Sequence, residues 1–123
     1  MEIALLERII NESWDKNTCY PPLSDEWNAQ NPALGQCAVT ALVVQDYLGG
    51  ELLYCRHNYH YWNRLPDKEE IDFTKEQFPK GTIICLDEIR LREHILNSQA
   101  ANESKTPVRY FILKMRVDRR ANL

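Results

Sequence analysis

The stretch GQCAVTALVVQDYL, residues 35–48, decides how the rest of this chain of 123 residues is arranged. Apolar side chains follow Cys37 at nearly every position, so the segment predicts an α-helix that is buried on all sides. Gly49 and Gly50 come next, and glycine readily adopts the left-handed conformation that ends helices. We therefore expect a central helix with Cys37 in its first turn and the remaining chain packed around it.

Cys37 is the one reactive side chain of this predicted helix. In a first turn, unpaired backbone N–H groups and the positive end of the helix dipole favour a thiolate. Free cysteine also packs well as a small hydrophobe, so a buried Cys37 without any chemistry is the alternative interpretation.

Composition and charge are those of an ordinary globular protein. The chain is 44% apolar and 27% charged with a net charge of −3, which suits a single domain over residues 1–123 and gives no reason to expect a nucleic acid partner. No apolar run reaches membrane-spanning length, and the N-terminus lacks a signal-peptide pattern. We expect a cytoplasmic protein without a membrane partner, whose four cysteines are free thiols.

Further helices are predicted before and after the central helix in the sequence. Residues 3–13 and the stretch from Thr106-Pro107 to about Arg119 carry apolar stripes at helical spacing, the second after an N-cap and a proline in the first helical position. Residues 87–97 favour a helix, although part of this stretch alternates like a strand. Residues 14–34 are irregular, and so long a run is often functional, as a lid or one wall of a cleft.

Three short segments predict an antiparallel meander packed on the central helix. They are residues 51–56, 59–65 and 70–74, rich in aromatic and apolar side chains. We expect a further edge strand at residues 82–86 and a polar linker at residues 98–105. The predicted fold class is α+β, with a small antiparallel sheet against the cysteine-bearing helix and flanking helices.

The last two strands of the meander bring a histidine and an aspartate together. If His60 lies directly opposite Asp72, then Trp62 lies opposite Glu70, and the turn needs a residue such as Asp67 in the left-handed conformation. Directly opposed Cβ atoms lie roughly 4.5–5.5 Å apart, which permits an imidazole–carboxylate hydrogen bond.

A thiol nucleophile requires a set of residue types that the chain provides at Cys37, His60 and Asp72. The thiol needs a base to take its proton and a third group to orient that base. Their placement at a helix start, on a strand and on the adjacent strand indicates a catalytic triad. A packed cysteine, a structural histidine and a surface carboxylate are the alternative.

This order of elements resembles the papain-like superfamily and, within it, the transglutaminase-like core. The segments HYWN at residues 60–63 and IDFT at residues 71–74 are similar to its histidine and aspartate segments, and GQC at residues 35–37 matches its nucleophile element. The chain also resembles the small bacterial YunG-like proteins. Residues 31–50, NPALGQCAVTALVVQDYLGG, and the histidine and aspartate segments carry this resemblance, which extends from about Trp14 to the C-terminal helix.

The papain-like resemblance implies acyl transfer on a peptide, amide, ester or thioester substrate. Cys37 would attack the carbonyl, His60 would take and later return the proton, and Asp72 would fix the imidazole tautomer. The backbone N–H of Cys37 would bind the oxyanion, with Gln30 or Gln36 as the candidate side-chain donor. Whether water or an amine accepts the acyl group, and how many copies assemble, is left open by the sequence.

Three further residues are candidates for the walls of a cleft. They are Trp27, Trp62 and Asn63. Trp62, beside His60, would shield the ion pair from water.

Two other functions compete with catalysis. A metal site built from Cys55, His57 and His60 is one, but alternating strand geometry and this spacing fit no standard zinc pattern. We therefore expect neither a metal nor another cofactor. The second is a papain-like binding or regulatory module that retains the fold without the chemistry.

Overall fold

A computed structural model describes residues 1–122 as five helices and a four-stranded antiparallel sheet of order β3-β2-β1-β4. The helices are α1 (Ile3–Ser13), α2 (Cys37–Leu48), α3 (Arg92–Asn97), α4 (Gln99–Glu103) and α5 (Thr106–Ala121). The strands are β1 (Glu51–Cys55), β2 (His60–Arg64), β3 (Glu70–Ile71) and β4 (Glu88–Arg90). Single turns of 3₁₀ helix occur at Pro21–Leu23 and Lys75–Gln77. The predicted α+β class is confirmed.

Helix α2 lies at the centre of the fold. Its residues from Val39 to Val44 are all buried, as the continuous apolar run predicts. The sheet residues Leu52 and Tyr61 pack against one side of α2, and side chains of α1 and α5 pack against the other. Gly49 ends the helix with a φ of 74°, confirming the expected glycine stop.

The two flanking helices follow the predicted boundaries closely. Helix α1 spans the predicted residues and buries its apolar stripe. Helix α5 includes Thr106 as its first residue, and Lys105 occupies the N-cap position with a φ of 57°. The Thr-Pro signal therefore identifies the correct helix and places its cap one residue late.

The segment between the meander and α5 agrees with the prediction only at α3 (Arg92–Asn97), which forms the second half of the helix predicted for residues 87–97. Residues 82–86 form no strand; β4 forms at Glu88–Arg90 instead, within the stretch predicted as helix. Arg56 holds this edge of the sheet, since its backbone N–H donates to Asp87 at 2.7 Å and its guanidinium to Glu88 at 2.9 Å. These contacts join residues about thirty positions apart, so local periodicity does not encode them.

The predicted polar linker at residues 98–105 also contains a helix. Ser98 accepts a hydrogen bond from the backbone N–H of Ala101 and caps α4. Serine is a strong N-cap residue, and this signal was present in the sequence.

The register of β2 and β3 is two residues away from the predicted one. Asn63 lies opposite Ile71, and Arg64 lies opposite Glu70. A shift of two preserves the face on which each side chain lies, because strand side chains alternate with period two. His60 and Asp72, which follows the end of β3, therefore lie diagonally across the pair, where long side chains still meet.

The turn between these strands explains the shift. Leu65 donates its N–H to the Glu69 carbonyl at 2.8 Å and accepts from the Lys68 N–H at 2.9 Å. Lys68, with a φ of 78°, takes the left-handed conformation that we predicted for Asp67.

We predict that Gly50→Ala destabilises the fold much more than Gly81→Ala does. The two glycines have φ values of 88° and 90°, but a Cβ on Gly50 would overlap the Arg64 carbonyl oxygen, whereas a Cβ on Gly81 meets nothing within 4 Å. Urea unfolding should show a loss of roughly 1–2 kcal/mol for Gly81→Ala, from backbone strain alone, and a clearly larger loss for Gly50→Ala. Equal losses would show that crowding at Gly50 is relieved by backbone movement.

Candidate active site

Three elements bring the predicted triad together. Cys37 is the first residue of α2 and is half-buried, His60 begins β2 and is fully buried, and Asp72 follows β3. The positions of Cys37 and His60 are fixed by the packing of α2 against the sheet, which includes a hydrogen bond from the Asn63 amide to the Ala41 carbonyl at 3.0 Å.

The histidine and the aspartate form a short hydrogen bond. His60 Nε2 lies 2.6 Å from Asp72 Oδ2, with the His60 side chain 0% exposed and that of Asp72 16% exposed. The other carboxylate oxygen of Asp72 accepts from the backbone N–H of Thr74 at 3.1 Å. Because both oxygens are engaged, the carboxylate is oriented and in turn orients the imidazole.

Two aromatic rings enclose the imidazole of His60. Trp62 stacks on it at a centroid distance of 5.7 Å, and Phe78 meets it edge-on at 4.9 Å. The Trp62 indole N–H is anchored on Glu70 Oε1 at 2.8 Å. This enclosure keeps water from His60 and strengthens its interactions with charged neighbours.

The Cys37 thiol lies between the carbonyl of Tyr59 and the imidazole of His60. Its Sγ is 3.7 Å from the Tyr59 carbonyl oxygen, to which it donates, and it also interacts with the His60 ring. Nε2 is taken by Asp72, so Nδ1 is the nitrogen left for the thiol. Within residues 1–122, Nδ1 is buried without an aligned hydrogen bond.

The charge of His60 reflects these neighbours. Burial opposes protonation of the ring, but hydrogen bonds and charges from Asp72 and Cys37 outweigh it and raise the pKa of His60 to about 9. The imidazolium is therefore favoured in this site when negative groups flank it on both sides.

The N-terminus of α2 offers backbone donors beside the thiol. The first hydrogen bond of α2 runs from the Thr40 N–H to the Gln36 carbonyl. The N–H of Cys37 therefore comes before the first hydrogen-bonded N–H of the helix. Such N–H groups are suited to bind developing negative charge.

The two glutamines predicted as oxyanion donors lie in different surroundings. Gln36 is 0% exposed and its amide donates to the Asp15 carbonyl at 3.1 Å. Gln30 is exposed and lines a cavity of about 120 Å³ together with Asp72, on the aspartate side of the triad. The Gln36 Oε1 atom is buried without a partner in the described part of the chain.

The other predicted cleft residues serve the scaffold. Asn63 is buried and bonded to α2, so it does not line a cleft. Trp27 is half-buried and donates its indole N–H to the Pro32 carbonyl at 2.9 Å, which closes a turn within the irregular segment. Of the three candidates, Trp62 alone packs on the triad.

Sequence reasoning missed two residues in this region, one in contact with the thiol and one buried on α5. Tyr59 takes a left-handed φ of 50°, which directs its carbonyl to Cys37, and no local signal marks it because tyrosine rarely adopts that conformation. Arg109 is buried on α5 and donates to the Thr18 carbonyl of the segment that precedes α2. It lies in line with the buried Thr106, Leu113 and Val117, and a charged residue within such an apolar stripe was the available signal.

The metal alternative lacks a ligand cluster. No three His, Cys, Asp or Glu side chains of residues 1–122 converge as a metal site would require. His57 is exposed, and Cys55 is buried with its thiol against Asn58. All four cysteines are unpaired. None of the helices within residues 1–122 combines the length and apolarity needed to span a membrane.

Comparison with known proteins gives one family. The family model described as YunG protein matches residues 2–122. The uncharacterized protein YunG of Bacillus subtilis (strain 168) is 38% identical over 72 residues, a match that covers 57% of each chain, less than two thirds of that relative's length. No solved structure matches the chain.

We predict that the free energy of unfolding falls as the pH rises from about 6.5 to 9. The pKa of His60 is about 9 in the folded state and 6.5 when unperturbed. Its interactions therefore stabilise the fold fully below pH 6.5 and are lost as the pH rises through 9, a change on the order of 3 kcal/mol. Urea unfolding at several pH values measures it.

The matched control is the exposed His57. His57→Gln should retain the pH dependence, whereas His60→Gln should abolish most of it. An unchanged slope in His60→Gln would contradict the assignment.

Proposed function

The chain belongs to the YunG family, and we propose that it is a cysteine-dependent acyl-transfer enzyme with a papain-like or transglutaminase-like core. The observation that best supports this proposal is the buried imidazole of His60. Its Nε2 is hydrogen-bonded to Asp72, which leaves Nδ1 for the Cys37 thiol. Buried polar atoms are nearly always hydrogen-bonded, and exceptions require an explanation such as catalysis. Unpaired thiols fit a reducing compartment, so we place the reaction in the cytoplasm.

The first step would move one proton and form one bond. The thiol proton passes from Cys37 Sγ to His60 Nδ1, and the thiolate attacks the carbonyl carbon of an amide, ester or thioester. Asp72 holds Nε2–H and stabilises the imidazolium without itself becoming protonated. The pKa of about 9 for His60 supports its role as the proton acceptor, since it favours the pair of thiolate and imidazolium at neutral pH.

The second step would release the leaving group. Negative charge on the carbonyl oxygen is met by the backbone N–H of Cys37 at the start of α2. When the tetrahedral intermediate collapses, the bond to the leaving group breaks and His60 gives it the proton. The product is a thioester between the acyl group and Cys37.

The third step would regenerate the thiol. Water or an amine, deprotonated by His60, attacks the thioester carbon, and the Cys37 sulfur leaves and recovers a proton. Water makes the protein a hydrolase and an amine makes it a transferase. Both outcomes use the same residues, so the acceptor is decided experimentally.

We predict that iodoacetamide alkylates Cys37 rapidly at pH values well below the reference cysteine pKa of about 8.5. Mass spectrometry of the full-length protein would compare Cys37 with the exposed Cys85 in the same sample. At pH 6.5, Cys37 should react at least ~10-fold faster than Cys85, because the imidazolium stabilises the thiolate. His60→Ala should remove this advantage, and Asp72→Asn should reduce it.

The control variant is His94→Ala, which removes an exposed histidine from α3. It should leave the labelling of Cys37 unchanged. Slow labelling of Cys37 at every pH would support a binding module without catalysis instead.

A second readout addresses acyl transfer itself. Incubation with an activated acetate ester should leave one acetyl group on Cys37, and none on the Cys37→Ser variant under the same conditions. Loss of that acetyl group in buffer alone indicates a hydrolase, and faster loss with an added amine indicates a transferase.

A further inference from the structure

The side chain of Gln77 connects two loops that carry residues of the proposed triad. Gln77 is half-buried at the end of the 3₁₀ turn Lys75–Gln77. Its Oε1 atom accepts a hydrogen bond from the backbone N–H of Gly35 at 3.3 Å, and its Nε2 atom donates to the carbonyl of Thr74 at 3.1 Å. One amide therefore links the backbone before α2 to the backbone after β3.

The Gly35 end of this link lies directly before the nucleophile. Gly35 is buried, and Cys37 begins α2 two residues later. A buried backbone N–H is nearly always hydrogen-bonded, and here the acceptor comes from a side chain 42 positions away. The Gly35 carbonyl accepts from the Tyr20 N–H at 2.9 Å. Both backbone polar groups of Gly35 are thus bonded, one to the segment before it and one to Gln77.

Gly35 is also closely packed on the side away from Gln77. Its φ is 71°, and a Cβ at this position would lie 2.5 Å from Cys19 Sγ and 2.9 Å from the Tyr20 nitrogen. This crowding leaves the backbone little room on the side of Cys19. Gln77 holds it from another direction, so the approach to α2 is fixed between two contacts.

The Thr74 end of the link lies beside the aspartate. Thr74 is buried, and its backbone N–H donates to Asp72 Oδ1 at 3.1 Å. The other oxygen, Asp72 Oδ2, lies 2.6 Å from His60 Nε2. Hydrogen bonds therefore connect the imidazole to Gly35 through Asp72, Thr74 and Gln77.

We propose that Gln77 is a positioning residue that sets where Cys37 lies relative to His60 and Asp72. It acts through the backbone of Gly35 and Thr74 and not on the reacting atoms. This proposal rests on the proposed function, since it concerns the geometry of the same triad. The attraction between a thiolate and an imidazolium weakens with distance, and a misplacement of about 1 Å can cost on the order of 100-fold in rate.

Gln45 provides a matched control at the other end of α2. It is half-buried and also uses both amide atoms, since Nε2 donates to the Gly50 carbonyl at 3.1 Å and Oε1 accepts from Arg92 at 2.9 Å. It lies about 12 Å along the helix from Cys37, given a rise of about 1.5 Å per residue. Loss of either amide removes two hydrogen bonds, but only the loss of Gln77 should disturb the triad.

The first test concerns the link itself. Gln77→Met keeps the length of the side chain and removes the amide. Hydrogen exchange of the Gly35 amide, followed by NMR in the full-length protein, should be at least ~10-fold faster in this variant than in the wild type. Gln45→Met should leave exchange at Gly35 unchanged. Equal exchange in wild type and Gln77→Met would overturn the proposal.

The second test measures the pH dependence of Cys37 alkylation by iodoacetamide in the same variants. Gln77→Met changes no charge, so a moved midpoint reports geometry. We expect the pH of half-maximal labelling to rise by about one unit, so that the rate at pH 6.5 falls roughly tenfold. Gln45→Met should lower the melting temperature without moving the midpoint. A shift of the same size in Gln45→Met would show that general loosening of α2 sets the reactivity, and the proposal would be wrong.

Gln77→Glu is the conservative variant. It keeps an oxygen acceptor for the Gly35 N–H and loses the donor to Thr74. At about 0.5 M salt, where the added charge is screened, it should keep the Gly35 amide protected and move the labelling midpoint less than Gln77→Met does. Equal shifts in the two variants would count against the bond to Gly35. If Gln77→Met does not fold, Gln77→Ser, whose side chain is too short to reach Gly35, replaces it in both tests.

The results distinguish this proposal from the proposed function. If His60→Ala abolishes fast labelling while Gln77→Met speeds exchange at Gly35 without moving the midpoint, the triad stands and the role of Gln77 is wrong. If wild-type Cys37 labels slowly at every pH and His60→Ala changes nothing, the proposed function fails, and this inference fails with it.

Discussion

A helix that is apolar on every side must be covered on every side, and this constraint arranges the rest of the molecule. Residues Val39 to Val44 of α2 are all buried, between the sheet on one side and the pair α1 and α5 on the other. Each large apolar side chain buried in this way contributes roughly 1.5–3 kcal/mol relative to exposure. With α2 held on all sides, the position of Cys37 at its first turn is fixed by the whole core and not by a flexible loop.

The irregular segment between α1 and α2 depends on a different interaction. Its backbone forms short turns and no long helix or strand, and arginines of α5 make further contacts that hold it in place. Arg116 pairs with the carboxylate of Asp15, and Arg109 binds the carbonyl of Thr18. Charged groups bound to backbone carbonyls make stronger hydrogen bonds than neutral ones. The C-terminal helix therefore sets the position of the segment against which the start of α2 packs.

Elements that depend on residues close together in the sequence were predicted more accurately than elements that depend on residues far apart. Helical periodicity and glycine stops gave α1, α2 and α5, because those signals are local. The register of the β2–β3 hairpin depends on the left-handed Lys68, which local patterns do not show. Strand β4 lies where strand-like alternation competed with the predicted helix, and its pairing with β1 decides the outcome. The contact of His60 with Asp72 was still predicted, because a two-residue slip preserves the face. The buried Arg109 and the engagement of Gln36 with the segment before α2 are tertiary features that spacing alone does not reveal.

The distribution of buried polarity separates the site from the scaffold. Elsewhere in residues 1–122 the buried side-chain nitrogen and oxygen atoms have hydrogen-bond partners, and the two exceptions are Gln36 Oε1 and His60 Nδ1. One belongs to the residue before Cys37, and the other belongs to the ring that interacts with its thiol. A core gains stability by satisfying every polar atom, and each buried exception costs on the order of 1–3 kcal/mol. The nucleophile proposed for Cys37 would account for the cost at His60, because Nδ1 is the nitrogen that would receive the thiol proton.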